Sequence, residues 1–170
     1  RDLYELDSNK GATAGGHALP TELYEHPNPS WIWTTISEGP AAFYANGRKM
    51  IFTRNNFSKG RARKSDKGVV NLKIYSAEMK SNGKWSKAES MVFNNDNYSV
   101  GHPTLNEDGT VLYFSSNMPG GFGGVDLYRS EFSNGQWSPP VNLGDKINTE
   151  GDEMFPYLQN NQELYFSSTG

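Results

Sequence analysis

The sequence contains no cysteine, carries little net charge and has no long hydrophobic run. Without cysteine, its 170 residues can form neither a disulfide nor a thiolate metal site. A formal charge of −3 argues against a dedicated nucleic-acid surface, which would show a strong basic excess. No apolar segment approaches the ~18 residues that a membrane-spanning helix needs. No secretion signal is visible, but the chain begins with Arg1, so we expect a piece of a longer or processed protein.

The residues that are abundant favour strands and turns. Aromatic residues make up 13% of the chain, and there are 18 glycines and 9 prolines. No sustained helical period is present. This composition predicts an all-β protein built from many short strands and tight turns.

The chain also repeats. Three segments share a short strand, a polar turn and an aromatic strand that ends in small polar residues: "PAAFYANGRKMIFTRN" (40–55), "HPTLNEDGTVLYFSSN" (102–117) and "FPYLQNNQELYFSS" (155–168). A second shared unit, with an Asn-Gly turn followed by tryptophan, occurs at 71–88 and 124–140. Equivalent positions are 52 residues apart from Phe114 to Phe166 and from Trp85 to Trp137. A repeat of about 50 residues with four short strands is typical of a β-propeller blade.

The repeats divide the chain into predicted blades of four antiparallel strands. We expect a partial blade with an irregular excursion at 1–38, full blades at 39–98 and 99–148, and the first half of a further blade at 149–170. In the second full blade, strands are predicted at about 103–106, 111–116, 126–132 and 137–143. This amounts to about three blades, whereas closed propellers usually have about four to eight. The chain is therefore expected to be part of a larger propeller.

Glycine fills four of the five positions from Gly120 to Gly124. The segment lies between two predicted strands and has neither a following helix nor the spacing of a phosphate loop. We interpret it as a tight connection in which backbones approach closely. The equivalent loop of the preceding blade, 57–70, is longer and carries basic residues, which we interpret as a solvated loop: Lys59, Arg61, Arg63, Lys64 and Lys67.

No pattern of catalytic or metal-ligating residues is evident, and we predict no cofactor and no metal. His102, in "GHP", is expected to tie a loop to the neighbouring blade. The acidic run "TEGDEMFP" supplies Glu150, Asp152 and Glu153, but its spacing matches no calcium loop. Nucleophile-elbow, zinc-protease and sialidase Asp-box motifs are missing from the sequence.

Phrases in the sequence resemble a known family. "EGPAAFYANGRKMIFTRNN", "SVGHPTLNEDGTVLYFSSNMPGGFGGVDLY" and "WSPPVNLGDKINTEGDEMFPYL" are similar, in this order, to the TolB-like and WD-like propeller repeats of Bacteroidetes OmpA-family envelope proteins of the PorE kind. The resemblance covers about residues 37–170. It implies a periplasmic, outer-membrane-associated scaffold linked to the type IX secretion system. It also implies peptidoglycan binding only through a domain that this sequence does not contain, and it supplies no catalytic residues.

The sequence therefore predicts a non-catalytic interaction module with protein partners in the cell envelope. The candidate contact residues are His102, Phe122, Glu150, Asp152 and Glu153. Phe122 is the best anchor, because interfaces centre on aromatic and arginine side chains. Two alternatives stay open: the propeller of a glycan-processing or peptidase-like enzyme, and a carbohydrate-binding module that uses Trp31 and Trp33.

Overall fold

The computed structural model describes residues 13–14, 17–18, 38–58 and 61–170. Within these ranges the chain consists of strands, turns and loops without a helix, and every strand pair is antiparallel. The predicted all-β class is therefore confirmed for the described residues. Most of the predicted partial blade at 1–38 lies outside them, as do Trp31 and Trp33, and from 1–37 only the pair β1 (Thr13–Ala14) and β2 (His17–Ala18) is described.

The first sheet has four strands that neighbour one another in chain order. They are β3 (Glu38–Tyr44), β4 (Lys49–Asn55), β7 (Leu72–Glu78) and β8 (Glu89–Ser90). The predicted turn between β3 and β4 is present, with positive φ at Asn46 (55°) and Gly47 (73°). The long connection between β4 and β7 contains a small hairpin of β5 (Phe57–Ser58) and β6 (Arg61–Ala62). Simple antiparallel neighbours of this kind need only short connections, which suits the turn-rich sequence.

The second sheet repeats this order with a divided outer strand. It contains β9 (Val100–Leu105), β10 (Val111–Ser116), β11 (Asp126–Ser133), β12 (Gln136–Trp137) and β13 (Val141–Asn142). The predicted strands at 111–116 and 126–132 are confirmed, whereas the one at 137–143 is divided into β12 and β13, which both pair with β11. Pro139 and Pro140 lie in the gap, and neither has an amide hydrogen to donate to the sheet.

A final hairpin consists of β14 (Glu153–Gln159) and β15 (Glu163–Ser168). Asn160 and Asn161 form its turn with φ of 49° and 57°, as the repeat predicted.

The first strand of each of these three units carries an irregularity at an X-Pro dipeptide. The pairing register shifts at Gly39-Pro40 in β3, at His102-Pro103 in β9 and at Phe155-Pro156 in β14. Proline cannot donate to the ladder, so a bulge is the natural place for it. His102 and Phe155 both adopt positive φ, at 54° and 55°, which is rare for residues other than glycine.

The main hydrophobic core lies between the two larger sheets. Ile51 and Ile74 of the first sheet pack with Leu112, Phe114 and Tyr128 of the second, together with Met91, Phe93, Val100 and Leu105. Phe93 stacks on Phe114 with ring centroids 4.8 Å apart. A second buried cluster, on the opposite face of the first sheet, contains Met50, Phe52, Tyr75, Ala77 and Trp85.

The sheets repeat each other at the level of side-chain pairs. Phe52 lies opposite Tyr75 across β4 and β7, and Phe114 lies opposite Tyr128 across β10 and β11. Both pairs have ring centroids 6.0 Å apart. The sequence repeat is therefore a repeat of structure in the described residues.

Candidate functional site

The candidate site is built around the glycine-rich connection between β10 and β11. The carboxylate of Asp126, which is buried, accepts hydrogen bonds from the backbone N–H of Phe122 at 2.6 Å and of Gly123 at 3.2 Å. The side-chain amide of Asn142 donates a third, at 2.8 Å. These bonds fold the connection back onto the start of β11 and fix the backbone on both sides of Phe122.

Close packing explains three of the four glycines. A Cβ atom at Gly121 would lie closer than 3.0 Å to the Asp126 carboxylate. One at Gly123 would lie equally close to the backbone of the 149–151 segment, and one at Gly124 would meet the Asp152 carboxylate. The interpretation of the segment as a tight connection with close backbone approach is therefore confirmed.

The same connection is joined to the segment that enters β14. The N–H of Gly124 donates to the carbonyl of Gly151 at 2.9 Å, and the N–H of Glu153 donates to the carbonyl of Val125 at 2.6 Å. Val125 and Asp152 form an isolated parallel bridge. Residues 120–125 and 149–152 thus form one surface, which we name the loop face. It brings together Phe122, Glu150 and Asp152.

The exposure of the predicted residues on the loop face differs. The Phe122 side chain is 51% exposed although its backbone is fixed, and Glu150 is exposed. Asp152 is half-buried. An exposed aromatic ring on a rigid backbone, next to carboxylates, can bind a partner with little loss of conformational entropy.

Glu153 has a different role, because its side chain is completely buried. Its carboxylate accepts hydrogen bonds from the Thr149 N–H at 2.9 Å, the Thr149 hydroxyl at 2.6 Å and the Ser168 hydroxyl at 2.6 Å. Burial opposes ionisation, but the hydrogen bonds from Ser168 and Thr149 outweigh it and lower the pKa of the carboxyl. Glu153 therefore connects the loop face to the end of β15 and presents no surface to a partner.

His102 lies on the bulge of β9, next to Phe155 of β14. Its backbone N–H donates to the hydroxyl of Thr53 in the first sheet at 2.8 Å, so the expected tie between neighbouring units exists but is made by the backbone. The imidazole stacks on Phe155, with centroids 4.1 Å apart, and its buried Nδ1 atom has no hydrogen-bond partner. Burial lowers the pKa of His102.

Phe155 is a surface residue that we did not single out from the sequence. Its side chain is 51% exposed, and it occupies in β14 the position that His102 occupies in β9. The signal was available, because both residues precede the proline of the repeat.

The described residues offer little for chemistry that depends on metals. Among them, no group of three or more His, Cys, Asp or Glu side chains is placed to hold a metal ion. In the same part of the chain, no helix is long and apolar enough to cross a membrane.

Part of the chain is similar to a solved structure. No protein-family model and no curated protein matches the chain. The crystal structure of TolB from Acinetobacter baumannii is similar over 79% of this chain, with 18% sequence identity and a TM-score of 0.49. The matched part is 27% of that TolB chain. Neither the PorE resemblance nor the link to Bacteroidetes envelope proteins is supported by these comparisons, and both stay predictions.

Proposed function

We propose that this chain is the protein-docking part of a non-catalytic β-propeller. In this proposal the segments 39–98 and 99–148 are blades, 149–170 begins the next blade, and the whole is about three blades of a larger disc. The consecutive antiparallel order of both larger sheets supports it, as do the repeated X-Pro bulges in β3, β9 and β14. Propellers expose loops on the two faces of a rigid disc, which suits docking.

The observation that carries the proposal is the loop face. Its aromatic residue, Phe122, is half exposed while its backbone is fixed by the buried carboxylate of Asp126. A solvated connection would have no need of such fixation. Phe122 would supply the apolar anchor of an interface, and Glu150 and Asp152 its polar surroundings. His102 and Phe155, stacked on the bulges of β9 and β14, would offer a second aromatic contact.

The cellular setting that we propose follows from the sequence resemblance. It is the periplasm, in association with the outer membrane, with components of a secretion system as partners and peptidoglycan contacted only through another domain. Among the described residues, no contact favours the enzyme alternative or the carbohydrate-binding alternative.

Site-specific photocrosslinking tests the docking function. A photoreactive phenylalanine analogue would replace Phe122 in the parent protein, expressed in its own cells. A matched control would replace Phe132, which is 40% exposed on β11 but lies at the end of the strand remote from the loop face. We expect a discrete crosslinked protein at position 122 that is absent at position 132. Equal crosslinking at both positions, or none at either, would contradict the proposal.

A binding measurement would then follow with the identified partner. The Phe122→Ala variant should bind it at least about fivefold more weakly, because truncation of a central aromatic anchor typically costs more than about 1 kcal/mol. Its thermal unfolding should match that of the wild type. An unchanged affinity would remove Phe122 from the interface.

A further inference from the structure

Two basic side chains face each other at the end of the first sheet from which the 56–71 connection leaves. Arg54 in β4 is the register partner of Lys73 in β7. Directly opposed residues of neighbouring strands project from the same face, and like charges in this arrangement repel. A third cation, Arg63, reaches the same place from the connection itself.

A single carboxylate, Asp96, receives the ion pairs that the described residues form in this cluster. Its oxygens lie 3.5 Å from the Lys73 Nζ atom and 3.4 Å from an Nη atom of Arg63. The Asn56 side chain also donates to it, at 2.8 Å. With Glu38, the register partner of Arg54 in β3, counted as well, three cations and two carboxylates leave a formal charge of 3 − 2 = +1 for the cluster.

The cluster holds hydrogen-bond donors without acceptors. Lys73 is only 3% exposed; its Nζ atom forms no hydrogen bond of good geometry, and its charge is paired with Asp96 at 3.5 Å. The buried Nε atom of Arg54 has no hydrogen-bond partner either, and its guanidinium forms no ion pair with any residue whose side chain the structure describes. The guanidinium carbon instead lies 4.1 Å from the centre of the Tyr75 ring, which holds the group in place. Buried donors are normally satisfied, so this arrangement needs an explanation.

In the second sheet the polar side chains at the same positions are hydrogen-bonded. Two residues beyond the Phe114–Tyr128 pair, Ser116 lies opposite Asp126, just as Arg54 lies opposite Lys73 two residues beyond Phe52 and Tyr75. The Asp126 carboxylate has three hydrogen-bond donors and closes a short loop. At the equivalent positions of the first sheet, lysine stands in place of aspartate and arginine in place of serine. The Nε atom of Arg54 and the Nζ atom of Lys73 are left without hydrogen-bond acceptors.

We propose that Arg54, supported by Lys73 and Arg63, forms an anion subsite that receives a carboxylate from an acidic peptide segment of a partner protein. The planar guanidinium can bind both oxygens of a carboxylate at once. The cluster already holds a carboxylate, that of Asp96, at ion-pair distance from two of its cations. The neighbouring residues Arg61, Lys64 and Lys67 are exposed, and their charge would attract an acidic segment more strongly than a small ion.

The subsite revises the interpretation of the 57–70 segment as a solvated loop. Arg63 is exposed yet ion-paired, and Asp66 is joined to Asn97 by two hydrogen bonds, at 3.0 and 2.8 Å. The segment is therefore fastened beside Asp96. The subsite uses none of the residues of the loop face, so it stands or falls separately from the proposed docking function.

Fluorescence anisotropy with a labelled hexaglutamate peptide tests the proposal on the 170-residue chain. We expect saturable binding at low ionic strength, no binding of a hexaglutamine peptide, and a loss of affinity of at least about fivefold in Arg54→Gln. Lys64→Gln removes the same charge from the exposed part of the segment and should weaken binding less than about twofold. Inorganic phosphate is added as a competitor. If it displaces the labelled peptide only at millimolar concentration, and hexaglutamate binds more tightly than phosphate, the subsite prefers a peptide carboxylate to a small ion.

Three results would overturn the proposal. Equal losses of hexaglutamate affinity in Arg54→Gln and Lys64→Gln would indicate attraction by the overall positive charge of the segment rather than by a site. Binding of phosphate but not of hexaglutamate would indicate a small-ion site, and binding of neither would show that there is no anion subsite. An unfolded Arg54→Gln variant would also lose affinity, so its thermal unfolding is measured first. Lys73→Met is the second variant, because it removes a buried charge and keeps the volume. It should fold and still lose affinity, and a Lys73→Met protein with unchanged affinity would also overturn the proposal.

Discussion

Asn148 holds Leu127 by both polar groups of its backbone. The Asn148 Oδ1 atom accepts the Leu127 N–H at 2.7 Å, and its Nδ2 group donates to the Leu127 carbonyl at 3.0 Å. Asn94 makes the same pair of bonds to Ile74 in the first sheet, at 3.0 and 2.6 Å. Since Leu127 and Ile74 are equivalent in the repeat, a side-chain amide replaces a strand partner at the same place in both sheets.

Asn148→Ala should therefore destabilise the protein strongly. Asn148 and Leu127 are both buried, so the substitution leaves the buried N–H of Leu127 without a partner, whereas the Leu127 carbonyl keeps the N–H of Leu143 at 3.1 Å. One such unsatisfied group costs about 1–3 kcal/mol, and we expect the free energy of unfolding to fall by about 1–3 kcal/mol in urea titrations. Gln136→Ala, at an exposed position of β12, is the control and should change it by less than about 0.5 kcal/mol. A similar small change for both variants would show that the two hydrogen bonds from Asn148 to the Leu127 backbone contribute little to stability.

The repeat in the sequence predicted most of the fold that positions the site. Alternating aromatic segments and Asn-Gly or Asp-Gly turns specify hairpins locally, so β10, β11 and the β14–β15 turn agree with the prediction. The sequence prediction missed the division of the outer strand. Pro139 and Pro140 interrupt the hydrogen bonding to β11, but the chain continues in the same direction and pairs with β11 again in β13.

The candidate site was less predictable, because its contacts join residues that are far apart in the sequence. The acidic run suggested three surface carboxylates, yet Glu153 is buried by Thr149 and by Ser168 of the next strand. The Lys73–Asp96 pair was missed for the same reason, since a lysine in a strand pattern reads as exposed. In both cases tertiary packing decides which charged side chains leave the surface.

Gly123→Ala should lower the stability of the protein more than Gly120→Ala. The first substitution destabilises by overpacking and the second by backbone strain. The new methyl group at position 123 would meet backbone carbonyls of the 149–151 segment, which cannot move away without breaking the pairing with Gly124. Overpacking of this kind costs about 1–3 kcal/mol or more. At Gly120 there is open space, but φ is +92°, a strain of about 1 kcal/mol for alanine. Thermal unfolding of the two variants measures the difference, and the reverse order would contradict the close approach.

The stability of the protein should fall in acid through Glu153. Its folded pKa lies below the ordinary value of 4.5, so the unfolded chain binds the proton more readily. The stabilisation is fully present above pH 4.5 and is lost as the pH falls through the lower, folded pKa. Glu153→Gln should be less stable than wild type at neutral pH, and the difference should shrink as the pH falls from about 6 to about 3.

Urea unfolding across that pH range measures the effect. Glu150→Gln, at an exposed position of the same segment, controls for the loss of one negative charge. A wild-type and Glu153→Gln difference that stays constant with pH would mean that the three hydrogen bonds to Glu153 do not favour its charged form.

The pairing of His102 with Phe155 should be visible in the titration of the imidazole. Burial holds the folded pKa of His102 below its ordinary value of 6.5, and the Phe155 ring covers one face of it at 4.1 Å. Phe155→Ala would admit water to that face, and the pKa of His102 should rise toward 6.5. Phe132→Ala, at the far end of β11, removes a comparably exposed ring and should leave the titration unchanged.

NMR titration of the imidazole signals, with His102 assigned from a His102→Gln variant, measures both effects. The lowered pKa of His102 also makes the stability of the fold depend on pH. Because the folded pKa is lowered, the neutral imidazole stabilises the fold above pH 6.5, and this contribution is lost as the pH falls through the folded value. If His102 titrates alike in wild type and Phe155→Ala, the ring of Phe155 does not shield it, and its low pKa arises from the bulge of β9 alone.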